Sequence, residues 1–249
     1  MIKRFAANGI KRFFENRGYS INRPRFHEEN AIDLRKLLAE PIEKRKGRLD
    51  VLQIGANDGV TNDPIHPAVL SRGWNLVAVE PMPAPFAKLR ETYRGVANVI
   101  CVQCAIGNAD GEAVIYALRP VRNAGVYDEH LASFSLETLK KSWRSIPDLD
   151  KRIEKHFVKS LTLKSLMRHC NLNEVDMLQV DVEGFDYNII RAAFEMQLFP
   201  KILAFEWSHL TKEDMWSCRC DLIKFGYRWL LDKGDVIAAR SDEVAASGM

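Results

Sequence analysis

The stretch that decides the fold is Val51-Leu-Gln-Ile-Gly-Ala-Asn-Asp-Gly59, an apolar run that breaks into two glycines. Further along the chain, a second apolar run, Asn75-Leu-Val-Ala-Val, ends in Glu80. A buried strand that stops in a glycine turn lets the backbone approach a ligand closely. A carboxylate at the end of the next strand can accept both hydroxyls of a ribose. The pair therefore predicts a site for a ribose-bearing ligand.

The spacing of the glycines narrows the class of ligand. Dinucleotide sites carry three glycines as G-x-G-x-x-G and seat a pyrophosphate at a helix N-terminus. Here Gly55 and Gly59 enclose Ala56, Asn57 and Asp58, and an acidic side chain in that turn would repel a pyrophosphate. Asp58 instead suits the ammonium of an amino acid moiety. The sequence therefore favours S-adenosylmethionine (SAM) over NAD.

From Leu49 onward, apolar strands alternate with helical patterns, as is typical of a mostly parallel sheet with helices on both faces. Strands are predicted near 49–54, 75–80, 98–104, 175–181 and 201–207, and helices near 64–72, 84–94, 185–196 and 211–225. Segments 227–232 and 235–240 flank Lys233-Gly234, which predicts an antiparallel hairpin. The predicted fold is α/β, a Rossmann-like class I methyltransferase fold whose mostly parallel seven-stranded sheet ends in this hairpin.

A long insertion separates the third and fourth predicted strands. Residues 112–118 predict an extra strand, and residues 136–157 look helical and strongly charged. Long irregular segments inside compact domains are usually lids, so the insertion around 119–157 is predicted to cover a substrate pocket. We therefore divide the chain into a basic helical extension, 1–45, and a SAM-dependent methyltransferase domain, 46–249.

The positive charge of the chain is concentrated in residues 1–25, which hold seven basic residues and one acid, so the remainder is net acidic. Apolar residues near helical spacing predict a short amphipathic helix there. This helix either contacts an anionic membrane surface or an acidic partner, or packs on its own domain. No apolar run is long enough to cross a bilayer and no secretory signal is recognisable, so a cytoplasmic location is expected, with the inner membrane surface as the alternative.

Acidic residues end several of the predicted strands. Glu80 follows the second strand, Asp181 and Glu183 follow the fourth, and Glu206 follows the fifth with His209 shortly after. Ligands of open α/β sheets bind at these carboxyl ends. If a bound SAM donates its methyl group to an oxygen, a base has to lie near the acceptor, and Asp181, Glu206 and His209 are the candidates. Asp181 is also a candidate partner for the SAM ammonium, and Glu183 either shares these roles or caps the next helix.

The same acids raise the alternative of a bound metal. A hard divalent ion could be held by Asp181, Glu183 or Glu206, with water completing an octahedral shell. However, these residues do not follow a dedicated metal-ligand spacing. We therefore assign no metal ligand from the sequence and treat a divalent ion as the less favoured alternative.

Four motifs follow one another on successive predicted strands: Val-Leu-Gln-Ile-Gly-Ala-Asn-Asp-Gly, Val-Ala-Val-Glu-Pro, Gln-Cys-Ala-Ile-Gly and Leu-Gln-Val-Asp-Val-Glu-Gly-Phe-Asp. In this order they resemble the FkbM family of SAM-dependent methyltransferases, over about residues 48–209. The resemblance implies O-methylation of hydroxyls on glycans or polyketides. It also implies roles for three groups of residues: a SAM loop of Gly55, Ala56, Asn57 and Gly59, a ribose site at Glu80 and Pro81, and an adenine site at Ala105 and Ile106.

Three other functions are weighed against this interpretation. Nucleic-acid methyltransferases usually carry a Pro-Pro-aromatic motif after the fourth strand, whereas this chain has Asp181-Val-Glu-Gly-Phe185 there. The missing third glycine and Asp58 oppose a nicotinamide-dependent oxidoreductase. A non-catalytic Rossmann-like binding module is the remaining alternative, and SAM binding would distinguish it. The expected partner is a small-molecule or glycan hydroxyl acceptor and not nucleic acid.

Overall fold

The structure is a computed structural model that describes residues 34–119, 132–144, 146, 148–232 and 234–246. The basic helix predicted for residues 1–25 lies outside the described residues. Within the described ranges, no helix is both long enough and apolar enough to cross a membrane.

The described residues form eleven strands and nine helices. The strands are β1 (Asp50–Ile54), β2 (Asn75–Val79), β3 (Val99–Val102), β4 (Ala105–Ile106), β5 (Gly111–Leu118), β6 (Ala132–Ser133), β7 (Ile153–Leu161), β8 (Met177–Val180), β9 (Ile202–Glu206), β10 (Tyr227–Asp232) and β11 (Asp235–Arg240). The helices are α1 (Leu34–Lys46), α2 (His66–Arg72), α3 (Pro83–Thr92), α4 (Leu136–Ser142), α5 (Leu149–Arg152), α6 (Leu163–His169), α7 (Asp186–Glu195), α8 (Lys212–Lys224) and α9 (Ser241–Ala246).

Seven strands form one large sheet in the order β10-β11-β9-β8-β1-β2-β3. Five neighbouring strands run parallel, in the order β9, β8, β1, β2 and β3. Strand β11 pairs antiparallel with both β9 and β10. The chain moves from β1 outward to β3 and then returns to β8 on the other side of β1. The order of strands therefore reverses between β1 and β8, which is where open α/β sheets bind ligands. This topology confirms the predicted class I methyltransferase fold and its terminal hairpin.

Both faces of the sheet are covered by helices, because its strands are apolar on both sides. On β1, Val51 belongs to one buried cluster and Leu52 to the other, and Leu76 and Val77 divide in the same way on β2. Residues from α1, α2 and α3 complete the first cluster, whereas residues from α6, α7 and α8 complete the second. The alternation of side chains along each strand thus builds two cores from one sheet.

The insertion forms a second sheet, in the order β4-β7-β5-β6. Strand β5 agrees with the predicted extra strand. The helical prediction for 136–157 is confirmed only for α4 and α5, because β7 pairs antiparallel with β5 from Ile153 to Ser160. Buried Val158 and Ser160 alternate with exposed Phe157 and Lys159, which is the period of a strand. The strand predicted near 98–104 is also shorter than expected, since β3 ends at Val102 and β4 joins the second sheet.

Helix α1 packs with the large sheet, although the predicted domain boundary lies at residues 45 and 46. The compact unit that contains the sheet begins at Leu34. Ala39 and Ile42 of α1 are buried in the same cluster as Val51. At the end of the helix, Lys46 forms an ion pair of 2.8 Å with the buried carboxylate of Asp176, just before β8. Hydrophobic burial and this ion pair together tie α1 to the sheet.

Candidate functional site

A cavity of about 260 Å³ opens at the carboxyl ends of β1, β2 and β8. We call its lower wall, made by the residues that end or follow these three strands, the floor. The opposite wall, the roof, comes from the second sheet and from the residue after α4. The roof residues are Ile115, Ala117, Ala132, Ser133, Phe134 and Trp143. The cavity therefore lies at the reversal of strand order and is enclosed by the insertion.

The glycine turn after β1 adopts a conformation that only glycine fits. Gly55 has a φ of +82°, and a Cβ atom at this position would lie 1.8 Å from the carbonyl oxygen of Asp181. The backbone N–H groups of Gly55 and Ala56 both donate to the carbonyl oxygen of Val79, at 2.9 and 3.0 Å. The turn is thus pressed between the ends of β2 and β8, and its backbone lines the cavity.

Replacing Gly55 with Ala is expected to lower the melting temperature and to weaken binding of S-adenosylhomocysteine by about 100-fold or more, because a backbone oxygen has to move. The control is Gly73→Ala, where φ is +66° but nothing lies within 4 Å of the added Cβ. That change should reduce stability by about 1–2 kcal/mol, the strain of the left-handed conformation alone. Thermal unfolding and calorimetric titration measure both effects. Equal behaviour of the two variants would contradict the close approach at Gly55.

Glu80 is a buried carboxylate at the end of β2, and only 7% of it is exposed. Its Oε2 accepts a hydrogen bond from the N–H of Asn57 at 3.0 Å, and its Oε1 accepts one from the N–H of Met82 at 2.9 Å. Burial raises the pKa of Glu80 to about 7, although the two backbone hydrogen bonds act in the opposite direction. Each oxygen keeps lone-pair capacity on the cavity side, so the carboxylate can accept a pair of ligand hydroxyls.

The structure does not bring the Asp58 side chain into the cavity. Its carboxylate instead accepts hydrogen bonds from the N–H groups of Val60 and Thr61, at 2.9 and 2.7 Å, and from the Thr61 hydroxyl at 2.7 Å. Gly59 also faces away, since a Cβ atom there would lie 2.7 Å from the Leu89 side chain in α3. These two residues shape the turn and its packing, whereas Gly55, Ala56 and Asn57 line the cavity.

Two side chains with buried oxygens line the cavity beside the turn: Gln53, on β1, and Asp63, in the loop before α2. One Asp63 oxygen accepts from the N–H of Ile65 at 2.7 Å. Burial raises the pKa of Asp63 above its usual value, although hydrogen bonds from the Ile65 backbone and from the Gln53 side chain act in the opposite direction. A carboxylate with a buried oxygen in the cavity wall suits a ligand group that carries several N–H bonds, such as an ammonium.

The remaining predicted cofactor residues lie around the same cavity. Ala105 and Ile106 form β4, are almost completely buried and line the wall beside Glu80. Pro81 lines it next to them and leads into α3. Apolar walls of this kind leave the polar groups of Glu80 and the turn to fix the orientation of a ligand.

Asp181 follows β8 and projects from the floor, where solvent in the cavity reaches its side chain. Its pKa is raised well above the usual range by the surrounding protein and then by the nearby carboxylates of Asp186, Glu183 and Glu206. Asp186 is completely buried at the start of α7 and accepts hydrogen bonds from the N–H groups of Gly184 and Glu206, at 3.2 and 3.4 Å. Burial, followed by the charge of Glu206, raises the pKa of Asp186 to about 7.

His209 meets two of the predicted acids. Its Nδ1 lies 2.7 Å from Oε2 of Glu183 and 2.8 Å from Oε2 of Glu206. The contact with Glu183, and then that with Glu206, raises the pKa of His209 to about 10. The imidazole is therefore protonated at neutral pH when it has only these two partners, and it cannot accept a proton from a hydroxyl in that state. This protonation disfavours His209 as the base, whereas the roles predicted for Asp181 and Glu206 stay predictions.

The sequence interpretation did not single out several residues of the site: Gln53, Asp63, Phe134, Trp143 and Asp186. Asp63 stands before Pro64 and near the start of α2, so a helix-capping pattern could have drawn attention to it. Phe134 and Trp143 lie in the insertion, whose pattern is too irregular to predict which side chains face the ligand. Trp143 packs its ring edge to face with that of His209 at 6.2 Å, which joins the roof to the acidic cluster.

Comparison with known proteins places the chain in a family. The sequence profile of the methyltransferase FkbM domain matches residues 53–237. No curated protein sequence matches the chain significantly. The fold is similar to the solved structure of methyltransferase FkbM from Methylobacillus flagellatus KT, with 12% identity and a TM-score of 0.45. The match covers 77% of this chain and 43% of that one, so this chain spans less than half of the relative's length.

Two further solved structures are similar at the level of the fold. A fibrillarin pre-rRNA processing protein from Methanococcus jannaschii is 15% identical with a TM-score of 0.39, over 77% of this chain and 65% of that one. A human methyltransferase 10 domain containing protein is 11% identical with a TM-score of 0.41, over 94% of this chain and 97% of that one. The family match, which spans most of the chain, therefore carries the assignment.

Proposed function

The chain belongs to the FkbM family of SAM-dependent methyltransferases, and we propose that it transfers the methyl group of SAM to a hydroxyl oxygen of a sugar, glycan or polyketide-type molecule. The observation that carries this proposal is the environment of Asp181. Its carboxylate lines the cavity, and no other group in the described part of the chain donates a hydrogen bond to it. It is thus available to an acceptor that lies above the centre of the sheet.

The floor fits the parts of SAM one by one. The Gly55 turn admits the ligand where a Cβ would fill the space, and Glu80 offers two oxygens to the ribose hydroxyls. Ala105 and Ile106 provide an apolar wall for adenine. For the ammonium, the Asp63 carboxylate, which also lines the cavity, takes the place of the predicted Asp58 contact. The proposed cofactor site thus differs from the sequence prediction in one partner.

The roof suits a polyhydroxylated acceptor. Phe134 and Trp143 line the cavity together with Asp181 and Glu183. Aromatic rings pack against the C–H faces of a sugar, and carboxylates accept hydrogen bonds from its hydroxyls. This combination favours a sugar or a similar oxygen-rich acceptor over an apolar one.

Bound SAM supplies a methyl group on a positively charged sulfur, which leaves as a neutral thioether. The residues of this chain have to align the acceptor oxygen with that methyl group and remove the hydroxyl proton. SAM held by these residues would release its methyl carbon to the acceptor oxygen, and the electron pair of the C–S bond would stay on sulfur. The hydroxyl proton passes to Asp181 and from there to solvent. The products are the methyl ether and S-adenosylhomocysteine.

The test is methyl transfer from SAM carrying an isotopically labelled methyl group to a panel of sugars, glycans and polyketides. We expect a mass gain of one methyl group in place of hydrogen, and an NMR shift of the labelled carbon typical of an ether. A labelled methyl on nitrogen or carbon would reject O-methylation. Saturable SAM binding without transfer to any acceptor would favour the alternative of a non-catalytic binding module, and hydride transfer with NAD would favour an oxidoreductase.

A further inference from the structure

Three potential metal ligands converge beside the cavity. Oε2 of Glu183, Oε2 of Glu206 and Nδ1 of His209 all lie within 4.8 Å of one another. Glu183 follows β8, Glu206 ends β9 and His209 lies in the loop before α8. One imidazole nitrogen and two carboxylate oxygens from three separate positions are a donor set that divalent metal ions use in proteins.

One hydrogen bond from Nδ1 does not account for both of these contacts. Although Nδ1 lies 2.7 and 2.8 Å from the two oxygens, the alignment is not that of a hydrogen bond, and all three atoms are shielded from solvent. A single N–H bond on Nδ1 could in any case serve only one acceptor well. Two neighbouring ligands of an octahedral ion at about 2.1 Å are about 3 Å apart. The separations of Nδ1 from the two oxygens, 2.7 and 2.8 Å, are close to that spacing.

The backbone around Glu183 is held in an unusual conformation that directs its side chain to this point. Glu183 has a φ of +53°, which a residue with a side chain rarely adopts unless its surroundings impose it. Gly184 allows the loop to approach His209, since a Cβ there would lie 3.2 Å from the His209 carbonyl oxygen. The Ser133 hydroxyl donates to the Glu183 carbonyl oxygen at 2.8 Å and fixes the loop from the roof.

We propose that Glu183, Glu206 and His209 bind a divalent first-row transition ion, of the class of Mn²⁺, Fe²⁺ or Zn²⁺. The imidazole ligand favours this class over the all-oxygen sites of Ca²⁺ and Mg²⁺. Three protein ligands leave coordination positions open, and Glu183 also lines the cavity. On the proposed function, which this role presupposes, an acceptor hydroxyl fills one open position, where the ion orients it and favours loss of its proton to Asp181.

The test is a titration of the full chain with Mn²⁺ after treatment with a chelator. Binding is measured as the loss of the electron paramagnetic resonance signal of free Mn²⁺. We expect one saturable site in the wild type. H209Q and E206Q should each weaken Mn²⁺ binding about tenfold or more, because each removes one of three ligands. The matched control is H156Q, since His156 faces Glu154 at 4.0 Å on β7, outside the cluster. This variant should bind Mn²⁺ like the wild type.

Binding of S-adenosylhomocysteine is measured on the same proteins by calorimetry, and circular dichroism checks that each variant is folded. A wild type that binds S-adenosylhomocysteine but neither Mn²⁺ nor Zn²⁺ would overturn the metal site and leave the proposed function intact. Equal Mn²⁺ affinity of folded H209Q, E206Q and wild type would also overturn it. A wild type that does not bind S-adenosylhomocysteine would instead count against the proposed function. The two failures are therefore distinguishable.

Discussion

Replacement of Glu80 with Gln is expected to weaken SAM binding on the order of 100-fold, because two hydrogen bonds to a charged acceptor are worth about 1.5–3 kcal/mol each and glutamine keeps only part of this interaction. The carboxylate is almost fully enclosed, so water replaces little of what the ligand loses. Glutamine has nearly the same shape as glutamate, which keeps the packing of the cavity wall. Its NH2 group cannot accept the hydrogen bond that Glu80 takes from the N–H of Asn57 or Met82, and this loss adds to the expected effect on ligand recognition.

Calorimetric titration with SAM and with S-adenosylhomocysteine measures this loss. The matched control is Glu91→Gln on α3, whose carboxylate is mostly exposed and pairs with Arg94, two residues beyond the end of the helix. That variant should bind both ligands like the wild type. An E80Q variant that also retained wild-type affinity would show that Glu80 does not hold the ribose.

The same variant also tests how the unfolding free energy depends on pH. The pKa of Glu80 is about 7 in the folded chain and near 4.5 without burial. The folded state therefore holds a proton that the unfolded state has already lost, so the stability of the ligand-free wild type falls as pH rises between these values. Relative to E80Q, the wild type should lose about 3 kcal/mol of unfolding free energy between about pH 5 and about pH 8. Urea denaturation across this range measures the difference, and parallel curves for the two proteins would contradict it.

Replacement of Asp181 with Asn is expected to lower kcat by about 100-fold to 10,000-fold, the usual contribution of a general base. Asparagine retains the shape of the side chain but cannot take a proton from the acceptor. Since Glu80 and the glycine turn are the groups proposed to hold the cofactor, the affinity for SAM should change by no more than about threefold. Single-turnover measurements with SAM bound in advance separate the chemical step from binding.

The control for this substitution is Asp150→Asn on α5, an exposed acid that pairs with Lys140. It should leave both kcat and SAM affinity unchanged. An Asp181→Asn variant with wild-type kcat would remove Asp181 from the reaction. A loss of SAM affinity with kcat preserved would instead support the other role considered for Asp181, a contact with the SAM ammonium.

The parts of the site that could be predicted are those with a local signal in the sequence. Gly55, Glu80 and Asp181 each end a short apolar strand, and neighbouring parallel strands bring their carboxyl ends to one edge whatever the details of the loops. Their common location therefore follows from the order of elements alone. The terminal hairpin could be predicted equally well, because two residues, Lys233-Gly234, separate two strands and so short a connection makes them fold back on each other.

The parts that could not be predicted depend on conformation or on distant partners. Asp58 stands beside Asn57, whose φ of +50° turns the following side chain into the loop and away from the cavity. Strand β7 looked helical because its charges hide an alternation that becomes visible only when β5 pairs with it. The meeting of Glu183 with His209 depends on the left-handed backbone at Glu183 and Gly184, and no sequence period reports such a conformation.

The separate hydrogen bonding of the two sheets has a consequence for how such a protein can diversify. Strands β5, β6 and β7 pair only with one another and with the short β4, so the roof can be rebuilt without changing any pairing in the large sheet. Mutations that alter Phe134 or Trp143 reshape the space above the floor, whereas Gly55 and Glu80 stay in place. On the proposed function, a lineage can thus exchange one acceptor for another through these two side chains while it retains Gly55 and Glu80.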